Sequence, residues 1–203
     1  MLLGMDMEIV LFDGFDELDA LGAWEVLAGA ASLIEDLTVR LVTLDGAREV
    51  RADHGAVIRS QAALSQRPDV LIVPGGGWLD RSAEGAWGQA VRGELPQALA
   101  ERHARGTVIA SVCTGALLLA ASGILAGRRA TTNPRAVEEL SAAGAQVVRA
   151  RVVDDGDIVT GGAPACSLDV AIHLLGRYYG PQATAAATRA LQYELPPPEH
   201  YLP

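Results

Sequence analysis

Hydrophobic positions along the chain follow two alternating rhythms. Short unbroken runs rich in β-branched residues recur at Glu8 to Phe12, Leu37 to Leu44, Val70-Leu71-Ile72-Val73 and Thr107-Val108-Ile109-Ala110. Runs of that length and composition mark strands buried on both faces of a sheet. Between them lie longer stretches in which apolar residues return at helical spacing: Leu18 to Ala30, Glu84 to Arg105, Cys166 to Tyr179, and Pro181 to Tyr193 before the tail Pro196-Pro197-Pro198. Glu49 to Arg59, folded about Asp53-His54-Gly55, predicts a short hairpin or edge excursion. A second hairpin is predicted where Val147 to Val153 and Ile158 to Thr160 flank Asp154-Asp155-Gly156-Asp157. Ala130 to Asn133 predicts a short strand, with Pro134 opening a helix from Arg135 to Ala143. Strands alternating with helices, without repeat, linker or low-complexity segment, predict one α/β domain over residues 1–203 with a mostly parallel sheet and right-handed crossovers.

The most informative stretch is Val108 to Leu125, where the apolar run is interrupted by Ser111-Val112-Cys113-Thr114-Gly115 and resumes as Ala116 to Ala120. It reads as strand, sharp turn and helix, with Gly115 permitting the turn and Cys113 carried on it. Gly106 to Gly127 is uncharged and long enough to cross a bilayer, but Ser111, Thr114, Ser122 and four glycines dilute it. A cysteine on such an elbow meets the N-H groups and positive dipole end of the following helix, which favours thiolate and makes it a candidate nucleophile. The alternative is a small core residue, since free cysteine is among the most buried residue types.

Two further loops follow strands and therefore fall at the sheet edge where α/β proteins bind ligands. The first holds Asp13, Asp16, Glu17 and Asp19 as candidate carboxylates. The second, Pro74-Gly75-Gly76-Gly77-Trp78, exposes backbone N-H groups suited to an oxyanion or carboxylate, and lacks the spacing of a phosphate loop. Gly161-Gly162-Ala163-Pro164 is another glycine turn after a strand, and Cys166 follows it at a helix start.

Composition narrows the chemistry. At 203 residues, 50% hydrophobic and 20% charged, the chain is an ordinary soluble domain, and its net charge of -9 argues against nucleic acid or an anionic membrane as partner. Small neutral or cationic ligands remain open. All 16 basic residues are Arg, which excludes lysine Schiff-base chemistry. Cys113 and Cys166 sit in dissimilar contexts that suggest no disulfide, and His54, His103, His173 and His200 form no metal-binding spacing, so neither metal nor other cofactor is expected. The opening Met1 to Glu8 has no basic segment and is broken by acids, so a cytoplasmic location is expected.

Across Glu8 to about Pro197 the chain resembles the DJ-1/PfpI superfamily, and within it the isocyanide hydratase branch. The resemblance rests on Phe12 to Gly22, Val73-Pro74-Gly75-Gly76, Ser111 to Gly115, Ala130-Thr131-Thr132, Thr160-Gly161-Gly162 and Leu191-Gln192-Tyr193-Glu194. It implies a flavodoxin-like three-layer sandwich that forms a homodimer with its site close to the interface. It also implies that Cys113 is the nucleophile, that Asp19 is a protonated carboxyl beside it acting as general acid, and that the Thr114 hydroxyl steadies that acid. Backbone N-H groups around Gly75, Gly76 and Gly22, with that of Thr114, would form an oxyanion-type pocket. Trp24, Trp78, Asn133 and Cys166 would line it, although both indoles also suit an interface. Family members commonly carry histidine where this chain has Asn133, which argues against protease or amidase chemistry. The reaction implied is hydration of an isocyanide to an N-formamide. Alternatives are reversible thiolate addition that isomerises a conjugated acyl chain, a glyoxalase-like activity, and the ligand-sensing half of an AraC-type regulator. Nothing follows Pro203, so no DNA-binding module is expected.

Overall fold

The computed structural model describes residues 4–197 and the strand backbone of 201–202. Pro198 and His200 lie outside the described residues. In β1 (Met5–Val10) the final four residues, including Glu8, are buried. Asp16 then ends the loop and starts α1 (Glu17–Ala31), its carboxylate accepting the Leu18 and Asp19 N-H groups that the first helical turn leaves unpaired. After β2 (Leu37–Thr43), β3 (Glu49–Arg51) and β4 (Val57–Arg59) pair antiparallel as the expected hairpin. β5 (Ala62–Ala63) adds a short edge, and β6 (Val70–Val73) returns to the centre with every residue buried.

The helix expected over Glu84 to Arg105 is two helices, α2 (Gly85–Arg92) and α3 (Glu94–Ala104). Gly93 breaks them apart in the left-handed region, φ 82°, where a residue without Cβ carries no steric penalty. β7 (Val108–Ser111), α4 (Gly115–Ala121) and β8 (Arg129–Ala130) follow. The predicted strand stops at Ala130, because Thr131 and Thr132 turn their hydroxyls to the Ala150 and Cys113 carbonyls instead of joining a ladder. Pro134 opens a 3-10 turn (Pro134–Ala136) before α5 (Val137–Ala142). The run read as one strand from Val147 to Val153 is also divided. β9 (Gln146–Val147) pairs with β8 in a separate small sheet, while β10 (Val152–Asp154) pairs antiparallel with β11 (Ile158–Gly161). Polar Arg149 and Arg151 fall in the crossing, where Arg151 binds Asp169. α6 (Cys166–Tyr179), α7 (Pro181–Leu191) and β12 (Tyr201–Leu202) complete the chain.

The main sheet runs β12-β10-β11-β7-β6-β1-β2-β5 and is parallel except at β10–β11. α1, α6 and α7 pack together on one face, and α2, α3 and α4 on the other, giving a three-layer α/β sandwich. The chain leaves β1 through α1 toward β2, and leaves β6 through α2 and α3 toward β7, so winding reverses between β1 and β6. Loops diverge at such a reversal and leave a crevice at the carboxyl ends of the strands. The loops after β1, β6 and β7 converge there.

Candidate functional site

Between β7 and α4 the backbone turns through Cys113 with φ 54°, a conformation that L residues other than glycine, asparagine and aspartate rarely adopt. Surrounding bonds fix it. Cys113 N-H donates to the Gly161 carbonyl at 3.1 Å, Val112 N-H to Val73 at 3.0 Å, and the Thr132 hydroxyl donates to the Cys113 carbonyl at 2.8 Å. Gly115 packs against the Val73 and Pro74 carbonyls so closely that any Cβ would collide with them. A strained residue persists when neighbours over-determine it in this way, and such residues concentrate at functional sites.

Behind the sulfur lies Asp19, fully buried on α1. Its Oδ2 accepts the Gly75 N-H at 2.7 Å, whereas Oδ1 has no hydrogen-bond partner within bonding geometry among the described residues. Burial, and then the neighbouring Asp16 charge, hold the Asp19 carboxyl well above the usual carboxylate range, with the Gly75 N-H and the Cys113 side chain opposing. That direction favours the protonated form of the acid. Burial also governs the cysteine, and the thiolate expected from the helix end is not favoured. Desolvation and the proximity of Asp19 push the Cys113 thiol up to about 12, against opposing bonds from Asn133 and the Thr114 N-H. A protonated Asp19 removes its own charge from that balance. Asn133 donates Nδ2 to Sγ at 3.2 Å, while its Oδ1 accepts the Arg135 N-H at 3.0 Å, which fixes the orientation of the amide.

The glycines expected to offer free amides are otherwise engaged. Gly75 donates to Asp19, and Gly76 N-H donates to Thr114 Oγ1 at 3.1 Å. The Thr114 hydroxyl thus holds the glycine loop, with no bond to the acid it was expected to steady. Gly22 lies inside α1, where its missing side chain makes room for Ser167 on α6. It is a packing residue, remote in role from an oxyanion pocket. Of the amides considered, that of Thr114 points to Cys113.

A cavity of about 320 Å³ opens on the sulfur, lined by Asp16, Asp53, Asp80, Trp78 and Asn133 among others. Trp78 is therefore a wall of the site, tied by its Nε1 to Glu139 at 2.8 Å and edge-on to Trp87 at 5.2 Å. Trp24 is half-buried against the core and does not line this cavity. Cys166 is buried beside Gly162 and does not line it either. Asp53, Asp80 and Arg135 in the lining were not singled out from sequence, because each belongs to a polar turn with no local feature that distinguishes it from solvated surface. The other loop carboxylates are structural: Asp13 binds Arg48 at 2.8 Å, and Glu17 binds His54 at 2.7 Å. Among the described residues no group of three or more His, Cys, Asp or Glu is arranged to hold a metal ion, and no helix is long and apolar enough to cross a membrane.

A family model described as DJ-1/PfpI family matches residues 6–176. The isonitrile hydratase of Pseudomonas putida is 30% identical over 198 residues, covering 97% of this chain and 82% of the hydratase. The HTH-type transcriptional regulator CdhR of Pseudomonas aeruginosa is 28% identical over 185 residues, covering 89% of this chain and 52% of the regulator. The crystal structure of a ThiJ/PfpI family protein from Pseudomonas syringae superposes with a TM-score of 0.83 at 26% identity, covering 97% of this chain and 78% of that one.

Proposed function

The chain belongs to the DJ-1/PfpI family, and from the pairing of Cys113 with a buried carboxyl we propose that it is a cofactor-independent cysteine enzyme hydrating an isonitrile to an N-formamide. The observation that carries this reading is Asp19: its Oδ2 is bound to the Gly75 N-H, and burial raises the pKa of the carboxyl, which lies beside the Cys113 side chain. Attack on an isonitrile leaves the terminal carbon needing both a sulfur and a proton. Sγ bonds to that carbon while Asp19 protonates it, and the thiol proton replaces the one Asp19 gives up. The product is a thioimidate. Water then adds to its carbon, the nitrogen takes a proton, and the C–S bond breaks to release the formamide and restore the thiol.

The test is turnover of aliphatic and aromatic isonitriles, with formamide followed by mass spectrometry. Cys113→Ser and Asp19→Asn should each lower kcat by at least about a hundredfold, on the scale of lost nucleophilic and general-acid catalysis. No formamide from any isonitrile removes the reading. Turnover of a polyenoyl thioester instead would assign the reversible-addition isomerase. A second class of function, ligand sensing without turnover, is favoured by the thiol being pushed up to about 12 and by the likeness to the regulator. Saturable ligand binding with no product in the same panel is its signature.

A further inference from the structure

The charges around the cavity do not balance. Asp16 comes from the loop before α1, Asp53 from the β3–β4 turn, and Asp80 from the loop after β6, and all three line the space in front of Cys113. Nearby cations are already matched: His54 by Glu17, Arg48 by Asp13, and Arg81 by Glu139. Arg135 is the guanidinium in the lining, so carboxylates exceed it by two. The arrangement is held in place by backbone. Asp53 N-H donates to the Phe15 carbonyl at 2.8 Å, and Glu17 accepts the adjoining His54 N-H at 3.0 Å. Asp80 sits between Trp78 and Arg81, which Glu139 grips together. Asp16 spends Oδ1 on capping α1, whereas the Asp53 and Asp80 side chains make no hydrogen bond or ion pair among the described residues. Like charges held together raise one another's energy, and the Asp53 pKa is raised by burial first, with the His54 charge opposing and Asp80, Asp16 and Glu17 adding to the rise.

The space ends on the sulfur of Cys113, whose backbone is held at φ 54°, which makes it a cavity at the candidate nucleophile and more than an acidic surface. The indole of Trp78 lines the same cavity, with the Arg81 guanidinium 5.9 Å from its ring centroid.

We propose that the natural substrate of this site is a small electrophile bearing a positive charge, such as a protonated amine, on the part remote from its reacting carbon. The substrate class rests on the enzymatic reading given above. The carboxylates sit at the loops around the opening and the sulfur at the turn, so the cationic end lies between Asp53, Asp80 and Trp78 while the reacting carbon meets Sγ. Anionic analogues meet the excess negative charge and are disfavoured.

The experiment measures Cys113 modification with three methanethiosulfonates carrying a trimethylammonium, a methyl or a sulfonate group. The cysteine sulfur displaces methanesulfinate and forms a mixed disulfide. Each rate is located to Cys113 by peptide mass spectrometry and divided by the rate with a neutral small thiol. The cationic reagent should exceed the anionic one by about tenfold or more at low ionic strength, with the ratio falling in salt. Asp53→Asn combined with Asp80→Asn should bring the ratio close to one, while Glu101→Gln on α3, outside the cavity, should leave it unchanged. Equal rates, faster anionic labelling, a ratio indifferent to the double substitution, or no labelling by any reagent would overturn the proposal. Isonitriles with ammonium, uncharged and carboxylate tails are turned over in parallel. Absence of formamide with the labelling order intact removes the hydratase reading and keeps the cation preference. Equal kcat/KM for all three tails does the reverse.

Discussion

At the scale of single residues, Asp19 is where burial overrides ordinary side-chain behaviour. An exposed aspartate ionises near 3.8, but this one is desolvated, faces Asp16, and has the Gly75 N-H as its one opposing bond to the protein backbone. Its folded pKa is raised, so above about 3.8 the native state binds the proton that the unfolded chain releases. The stability of the protonated acid is then fully present below that value and is lost as pH rises toward the folded pKa. Asp19→Asn keeps an acceptor for Gly75 and removes the titration. The variant should match wild type in urea midpoint near pH 4 and become progressively the more stable of the two toward pH 8. A difference that does not change with pH would show Asp19 already ionised, and the proton-donor role would then fall to another group. The same comparison bears on Cys113, since an ionised Asp19 is one of the causes that raise its pKa.

Between elements, the contact of α1 with α6 shows what Gly22 is for. A Cβ there would collide with the Ser167 hydroxyl, which is itself buried without a hydrogen-bond partner among the described residues. Overfilling a packed contact costs about 1–3 kcal/mol, and Gly22→Ala should lower the unfolding free energy by that amount. Ser167→Ala removes an unsatisfied buried hydroxyl and should be close to neutral. In the Ser167→Ala background, Gly22→Ala should recover most of the loss, a coupling read directly from a double-mutant cycle. Additive costs would mean that the backbone, rather than the hydroxyl, limits the approach of the helices. The break between α2 and α3 is a second case at this scale: Gly93 at φ 82° ends one helix and begins the next, although the apolar spacing on either side reads as continuous.

For the whole molecule, the outer face of the α1, α6 and α7 layer leaves apolar surface uncovered. None of α7 is buried, Leu33 is 82% exposed, and a cavity of about 600 Å³ between α1 and α7 is lined by Val26, Ile34, Ala183 and Leu191 among others. Contiguous exposed apolar surface of this kind is a mark of association. We expect a homodimer, with light scattering at micromolar concentration giving twice the chain mass. A monomer under those conditions refutes it.

Much of this architecture was legible along the chain because strand burial and helix spacing are local patterns: β1, β2, β6 and β7, the turn at Cys113, and the helices α1, α6 and α7 fall where apolar runs and glycines put them. Resemblance of motifs pointed to Asp19 as the partner of Cys113, and the fold places the two together. What the chain could not reveal is how far apart in sequence the site is drawn from. Asp53, Asp80 and Arg135 reach one cavity only because β6 lies between β1 and β7 in the sheet. Equally hidden were the Gly75 and Gly76 amides turning inward to Asp19 and Thr114, and Trp24 staying out of the cavity that Trp78 lines. Tertiary structure alone decided the direction in which the pKa values of the pair move. A pKa depends on every neighbour that excludes water, and those neighbours come from α1, β6, β7 and the loops between them, whereas the pattern of apolar positions records only which residues leave water and not which ones they meet.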